Sequence, residues 1–220
     1  MYNECIEDPS LELLKAFLSI IRMRHTGQVV GIVTILSIKS HGFSIPSLLA
    51  ILSFLFLSIA LFSFDDAHDS ASDRIVHPKR PIPRGTFTVT QVYVLGSIFF
   101  GSGLLIAYGL QLFQFILFLV VAVLGLLVIF VNLSSLVKAT LTAIIIFILF
   151  PFSAHLDVTS FLFGLIVALP HIAGSMIKDF IHSPGDKIVN LSPPAEWLRY
   201  VAVQYFLLVE ELFGCLLCYN

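Results

Sequence analysis

Residues 64–85 read FDDAHDSASDRIVHPKRPIPRG and come directly after the apolar run 45–62. Four carboxylates, Asp65, Asp66, Asp69 and Asp73, fall within three helical turns, and four cations, Arg74, Lys79, Arg80 and Arg84, follow them. If the helix continues past Phe64, Asp66, Asp69 and Asp73 are spaced i, i+3, i+7 and share one face. Carboxylates gathered at a membrane boundary resist ionising together unless a cation sits among them. Hard divalent cations such as Mg²⁺ take carboxylate oxygens and commonly bridge to a phosphate. Arg and Lys are the usual side-chain partners of that phosphate. The local chemistry is that of a metal-plus-phosphate site at a membrane surface, and it makes Asp65, Asp66, Asp69 and Asp73 the candidate metal ligands.

The rest of the chain supplies the membrane. Of its 220 residues 58% are hydrophobic and 12% charged. Soluble domains carry about a quarter charged residues, so this is an integral membrane protein. The net charge of −2 and the lack of a long basic run give no sign of a nucleic-acid partner. The acidic N-terminus (Glu4, Glu7, Asp8) does not read as a cleavable signal. Cys215 and Cys218 form a C-x-x-C inside an apolar run, without a second pair or a nearby His, and read as ordinary apolar residues.

Residues 1–12 read as a polar lead-in, with Pro9 and Ser10 able to start a helix, and residues 13–220 as a single membrane-embedded domain. Seven apolar spans of about the length a bilayer needs are expected. They are 13–38, 45–64, 87–110, 112–131, one from 132–138 to 151, 158–177, and one from 196 to the C-terminus. Arg22, Arg24 and His25 interrupt the first, and Glu210 and Glu211 the last. Charges inside a span face a cavity or a partner; alternatively Arg22 and Arg24 snorkel to the interface and the span starts near Thr26. Pro78, Pro81 and Pro83 forbid one continuous helix after the acidic cluster.

Of the 12 Lys and Arg residues, only Lys39 falls clearly in a loop on the side opposite the N-terminus. The positive-inside rule therefore expects the N-terminus and the acidic loops on the cytoplasmic side of the cell membrane. A second polar loop, 178–195, carries KDFIHSPGDK. Asp179 and Asp186 are seven apart with His182 between them, and Lys178 and Lys187 supply cations. Two acidic clusters on one side of a bundle suggest a diphosphate bridged by Mg²⁺.

The motif D-D-x-x-D-x-x-x-D-R, followed by P-x-R-P-I-P-x-G, resembles the first aspartate-rich motif of the UbiA superfamily of intramembrane prenyltransferases, usually N-D-x-x-D-x-x-x-D trailed by R-P-[IL]-P-x-G. The later K-D-F-I-H-S-P-G-D resembles its second motif, K-D-x-x-D-x-x-G-D, and the resemblance covers about residues 13–187. It implies an all-α membrane enzyme that moves a prenyl group from a prenyl diphosphate to a lipid-soluble or amphiphilic acceptor, either an aromatic quinone precursor or a glycerol-phosphate lipid precursor. It implies Mg²⁺ held by Asp66, Asp69 and Asp73 and by Asp179 and Asp186, with Asp65 in place of the usual Asn. Arg80 and Lys178 match the cations expected at the diphosphate. Lys79, Arg84 and Arg22 are candidates for the same role, and Asn132, Ser134 and Lys138, with Tyr93, for orienting the acceptor.

The chain departs from the pattern in three further places. His182 replaces the middle Asp of the second motif. The Tyr of a Tyr-x-x-x-x-Lys signature is Leu133. The superfamily commonly has nine spans where seven are expected here, as for a short, C-terminally truncated member. Three other functions compete. A CDP-alcohol phosphotransferase needs D-G-x-x-A-R, which is absent. A divalent-cation transporter would place its carboxylates mid-span. A non-catalytic relative of a prenyltransferase accounts for the missing spans and for His182.

Overall fold

The computed structural model describes residues 9–154 and 158–188. The expected seventh span, with Glu210, Glu211, Cys215 and Cys218, lies outside the described residues. Among the described residues there are eight helices and no strand: α1 (Pro9–Ile20), α2 (Met23–His41), α3 (Ile45–His68), α4 (Ser70–Val76), α5 (Val89–Ala107), α6 (Leu112–Phe130), α7 (Ser135–Ser153) and α8 (Val158–Ile188). Four of them, α3, α5, α6 and α7, are each long and apolar enough to cross a membrane, and α8 contains the shorter apolar stretch Ser160–Ile172.

Local chemistry sets the helix ends. Ser44 caps α3 through the Ser47 amide with Pro46 in the first turn, because Pro is tolerated where the N–H has no helical partner. Thr88 and Gln91 form a reciprocal capping box at the start of α5. Gly42 ends α2 at φ 65°, a conformation that glycine adopts without a Cβ clash. The connections between α2 and α3, α5 and α6, and α6 and α7 are short turns, so successive long helices run up and down. The ends of α3 and α6 and the starts of α2, α5 and α7 therefore share one end of the bundle.

The central helix is α3, which packs against α2, α5 and α6, while α7 pairs with α6, α8 and α2. Its closest neighbour is α5. A Cβ added at Gly103 would lie 3.3 Å from the Ser53 carbonyl oxygen and 3.4 Å from the Leu57 nitrogen, and one at Gly96 would meet the Phe64 ring at 2.7 Å. Lipid is as apolar as Leu, so helices in a membrane associate through such close packing of small residues. On the other side of α3 the Phe54 ring meets Phe118 at 5.5 Å and Phe152 at 4.5 Å, both edge-on, and these three rings are fully buried.

Three expectations need correction. The first span, expected over residues 13–38, is two helices. The chain breaks at Ile21 and Arg22, where Arg22 takes φ 48° and ψ 55°. A left-handed residue costs a non-glycine about 1–2 kcal/mol, so tertiary contacts must hold it there. The acidic stretch is helical rather than a loop up to His68, and after a break at Asp69 it resumes as α4. The second polar loop, expected from residue 178, is the last part of α8, which stays helical through Pro184 to Ile188. A helix of 31 residues is about 46 Å long at 1.5 Å per residue. The hydrocarbon core is only about 30 Å thick, so the last turns of α8 project beyond it.

Replacing Gly103 with Leu should force α3 and α5 apart and lower stability by about 1–3 kcal/mol. Gly101→Ala, where an added Cβ meets nothing within 4 Å, should leave it unchanged or slightly raised. Reversible unfolding of the purified protein in mixed micelles compares the two.

Candidate functional site

Two arginines organise the acidic end of the bundle. Arg22 reaches across from the α1–α2 break to the last turn of α3. Its Nη1 donates to Asp65 Oδ2 at 2.8 Å, its Nε to Asp66 Oδ1 at 3.1 Å, and its Nη2 also pairs with Asp66. The guanidinium stands 5.6 Å from the centre of the Phe62 ring, a distance at which a cation gains from the ring face. Arg80 donates from Nη1 to Asp73 Oδ2 at 2.5 Å and approaches Asp66 Oδ1 at 3.5 Å. Asp66 and Asp73 are buried, with side chains 7% and 8% exposed. Buried carboxylates stay charged only when paired, and the two arginines supply the pairing.

The P-I-P-R-G segment makes the Arg80 contact possible. The Arg80 amide donates to the His77 carbonyl, Arg84 to Arg80, Gly85 to Ile82 and Thr86 to Pro81. These turns close at Gly85, whose φ of 79° suits glycine. The segment folds under the bundle and buries Ile82 with Ile20, Ala67 and Val92. Arg84, exposed, lies 3.7 Å from Glu12 of α1, and Arg74 and Lys79 are exposed.

The expected single face for Asp66, Asp69 and Asp73 holds only in part. Asp66 and Asp73 both meet Arg80, but the chain breaks at Asp69 with φ −82° and ψ 4°. The Asp69 side chain is turned out, about half exposed, with His68 Nδ1 3.3 Å from its Oδ1. Lost hydration, and after it the Asp65 carboxylate, push Asp69 above the usual carboxylate range, with His68 partly offsetting them. A cation placed beside it would favour the ionised form and offset that shift.

Asp179, His182 and Asp186 occupy the last turns of α8, with Lys178 and Lys187 beside them; their side chains lie outside the described part. The helix α4, carrying Asp73, packs against α8, so the two acidic stretches belong to neighbouring helices. Among the acceptor candidates, Asn132 and Ser134 are exposed in the α6–α7 connection and Lys138 is half-buried in the first turn of α7. All three lie at the acidic end. Tyr93 stacks on Phe130 at 6.5 Å, and both rings stand near Phe64. Sequence reasoning missed Phe62, His68 and Phe130, the last edge-on to the His68 ring at 5.6 Å. His68 sits inside the motif and could have been singled out. Phe130 is one apolar residue of a span and carries no local signal.

Among the described residues no three Asp, Glu, His or Cys side chains close on one metal-binding point. The donor set nevertheless suits Mg²⁺. It is oxygen-only, and three of its four carboxylates, Asp65, Asp66 and Asp73, share two guanidiniums, Arg22 and Arg80, while Asp69 stands beside His68. The charge left over is what a divalent cation would balance.

No protein-family model matches the chain, and no curated protein matches it. A solved structure described as bearing on digeranylgeranylglyceryl phosphate synthase in membranes does match, with a TM-score of 0.64 at 19% identity, over 93% of this chain and 78% of that one. The all-helical bundle implied by the aspartate-rich motifs is thereby shown, and the chain shares the fold of that structure.

Replacing Arg22 with Ala leaves Asp66 buried and short of a partner, and should cost about 3 kcal/mol. Arg22→Ala/Asp66→Ala should recover at least about 1 kcal/mol of that loss. A double-mutant cycle on unfolding free energies checks it; additive losses would mean that the two side chains do not interact.

Proposed function

We propose that the protein transfers a prenyl group from a prenyl diphosphate to a lipid-soluble or amphiphilic acceptor, with Mg²⁺ as cofactor, at the acidic end of the bundle. The observation that carries this reading is the packing of α4, with Asp73, against α8, with Asp179 and Asp186. The likeness of fold to a membrane prenyltransferase supports prenyl transfer in general.

On this reading Asp66, Asp69, Asp73, Asp179 and Asp186, with Asp65 beside them, hold Mg²⁺. Bound there, the metal supplies positive charge against the charge that develops on a departing diphosphate. The chain's own cations act with it. Arg80 and Arg22 sit among the carboxylates, while Lys79, Arg84 and Lys178 reach the diphosphate from the surrounding elements. The prenyl tail lies in the apolar bundle, with its C1 carbon at the acidic end. As the C1–O bond breaks, the electron pair leaves with the diphosphate. Phe64, Tyr93 and Phe130 keep water from the carbon. The acceptor nucleophile, oriented by Asn132, Ser134 or Lys138, bonds to C1 and gives up its proton. The acceptor is an aromatic quinone precursor or a glycerol-phosphate lipid precursor.

The same reading places the acidic end in the cytoplasm. Arg22, Arg74, Lys79, Arg80, Arg84 and Lys138 cluster at this end, while Lys39 lies in the last turn of α2 at the other.

Purified protein given Mg²⁺, a panel of prenyl diphosphates and acceptors of both classes should yield prenylated product by mass spectrometry. Asp69→Ala should lower the rate by about 10²-fold or more. Chelation with EDTA should abolish transfer, and added Mg²⁺ should restore it. Asp69→Ala protein working at the wild-type rate, or no product from any pairing, would overturn the proposal.

A further inference from the structure

The helix α1 has a second face that the site does not use. At 12 residues it is about 18 Å long, too short to cross a hydrocarbon core of about 30 Å. It is held at the acidic end at both of its ends. Ile20 is buried with Ala67 and Ile82, and Glu12 lies beside Arg84. Leu11, Leu14 and Leu18, spaced three and seven apart, fall on the side away from Ile20 and Glu12, and they are 46%, 52% and 38% exposed. Met23, the first residue of α2, is 57% exposed as well.

We infer that α1 is an interfacial strap, lying in the headgroup–acyl boundary of the leaflet at the acidic end with Leu11, Leu14 and Leu18 in lipid. The occupant of that face follows from position. The adjoining helices α2 and α3 begin and end at this level, so the bilayer boundary is the apolar medium within reach of a short helix tied there. A helix with one apolar and one polar side binds such a boundary by burying the apolar side. The strap has a consequence for the site. It joins α2 through Ile21 and Arg22, and Arg22 is the residue held in a left-handed conformation while it grips Asp65 and Asp66. Lipid contact on α1 thus fixes the entry of the chain into the site and the position of the arginine. This inference does not depend on prenyl transfer and is read without an activity assay.

Full-length protein with Cys5, Cys215 and Cys218 replaced by Ser would carry a single environment-sensitive fluorophore on Leu14→Cys or Ser19→Cys. Both would be reconstituted in nanodiscs containing brominated phospholipid. Label at position 14 should be quenched at least threefold more than label at position 19. Equal quenching at the two positions would place α1 in water, or in a contact with another protein, and overturn the strap. Hydrogen–deuterium exchange gives the second reading. Leu11→Ser/Leu14→Ser/Leu18→Ser should raise exchange over residues 21–26 while α3 and α5 keep their protection. Unchanged exchange over 21–26 in a variant whose α3 and α5 are intact would overturn the link to Arg22.

Discussion

The structure depends on the pairing of two guanidiniums with carboxylates at the end of an apolar bundle. Asp66 and Asp73 are buried where water cannot stabilise their charge, and Arg22 and Arg80 stand in for that water. Each arginine comes from a different part of the chain. Arg22 enters from the break before α2, and Arg80 from the folded segment after α4. The ion pairs therefore tie the start of the bundle, the end of its central helix and the P-I-P-R-G turn into one surface. A hydrophobic substitute could pack these elements as well, since a buried ion pair is not by itself a strong source of stability. The residues make better sense as an electrostatic site that packing has been arranged to hold.

That holding is done by α3. Small residues let α5 approach to backbone contact at Gly103, and the Phe54, Phe118 and Phe152 rings lock α6 and α7 on the other side. With the helix fixed along its length, its last turn presents Asp65 and Asp66 at a defined place. The break at Asp69 then divides the acidic residues into two kinds. Asp66 and Asp73 turn inward to arginine, and Asp69 turns outward beside His68. An inward pair that fixes geometry and an outward carboxyl that resists ionising suit a site whose charge is completed by something that arrives.

Much of this was legible in the sequence, and the rest was hidden for physical reasons. The apolar run expected over 112–131 is α6, Leu112–Phe130, since a span bounded by turn residues is a local property. The acidic motif was visible because charge in an apolar chain is conspicuous. The break at Arg22 was not. A charge inside an apolar stretch reads equally as a snorkelling side chain or as one facing a partner, and its partner lies 44 residues away in Asp66. The continuation of α8 through Pro184 and Gly185 ran against both residues' local preference. The two acidic stretches lie on neighbouring helices through the packing of α4 on α8, a tertiary contact between segments about a hundred residues apart that no local pattern encodes.

The central claim is that both acidic stretches face one another at one end of the bundle. Pulsed electron–electron distance measurement tests it most directly. Spin labels would be placed on Ser72→Cys in α4 and Ser183→Cys in α8, in cysteine-replaced protein held in nanodiscs. The account predicts one population with labels within about 20 Å of each other. A main population separated by about 30 Å or more, the thickness of the hydrocarbon core, would contradict it.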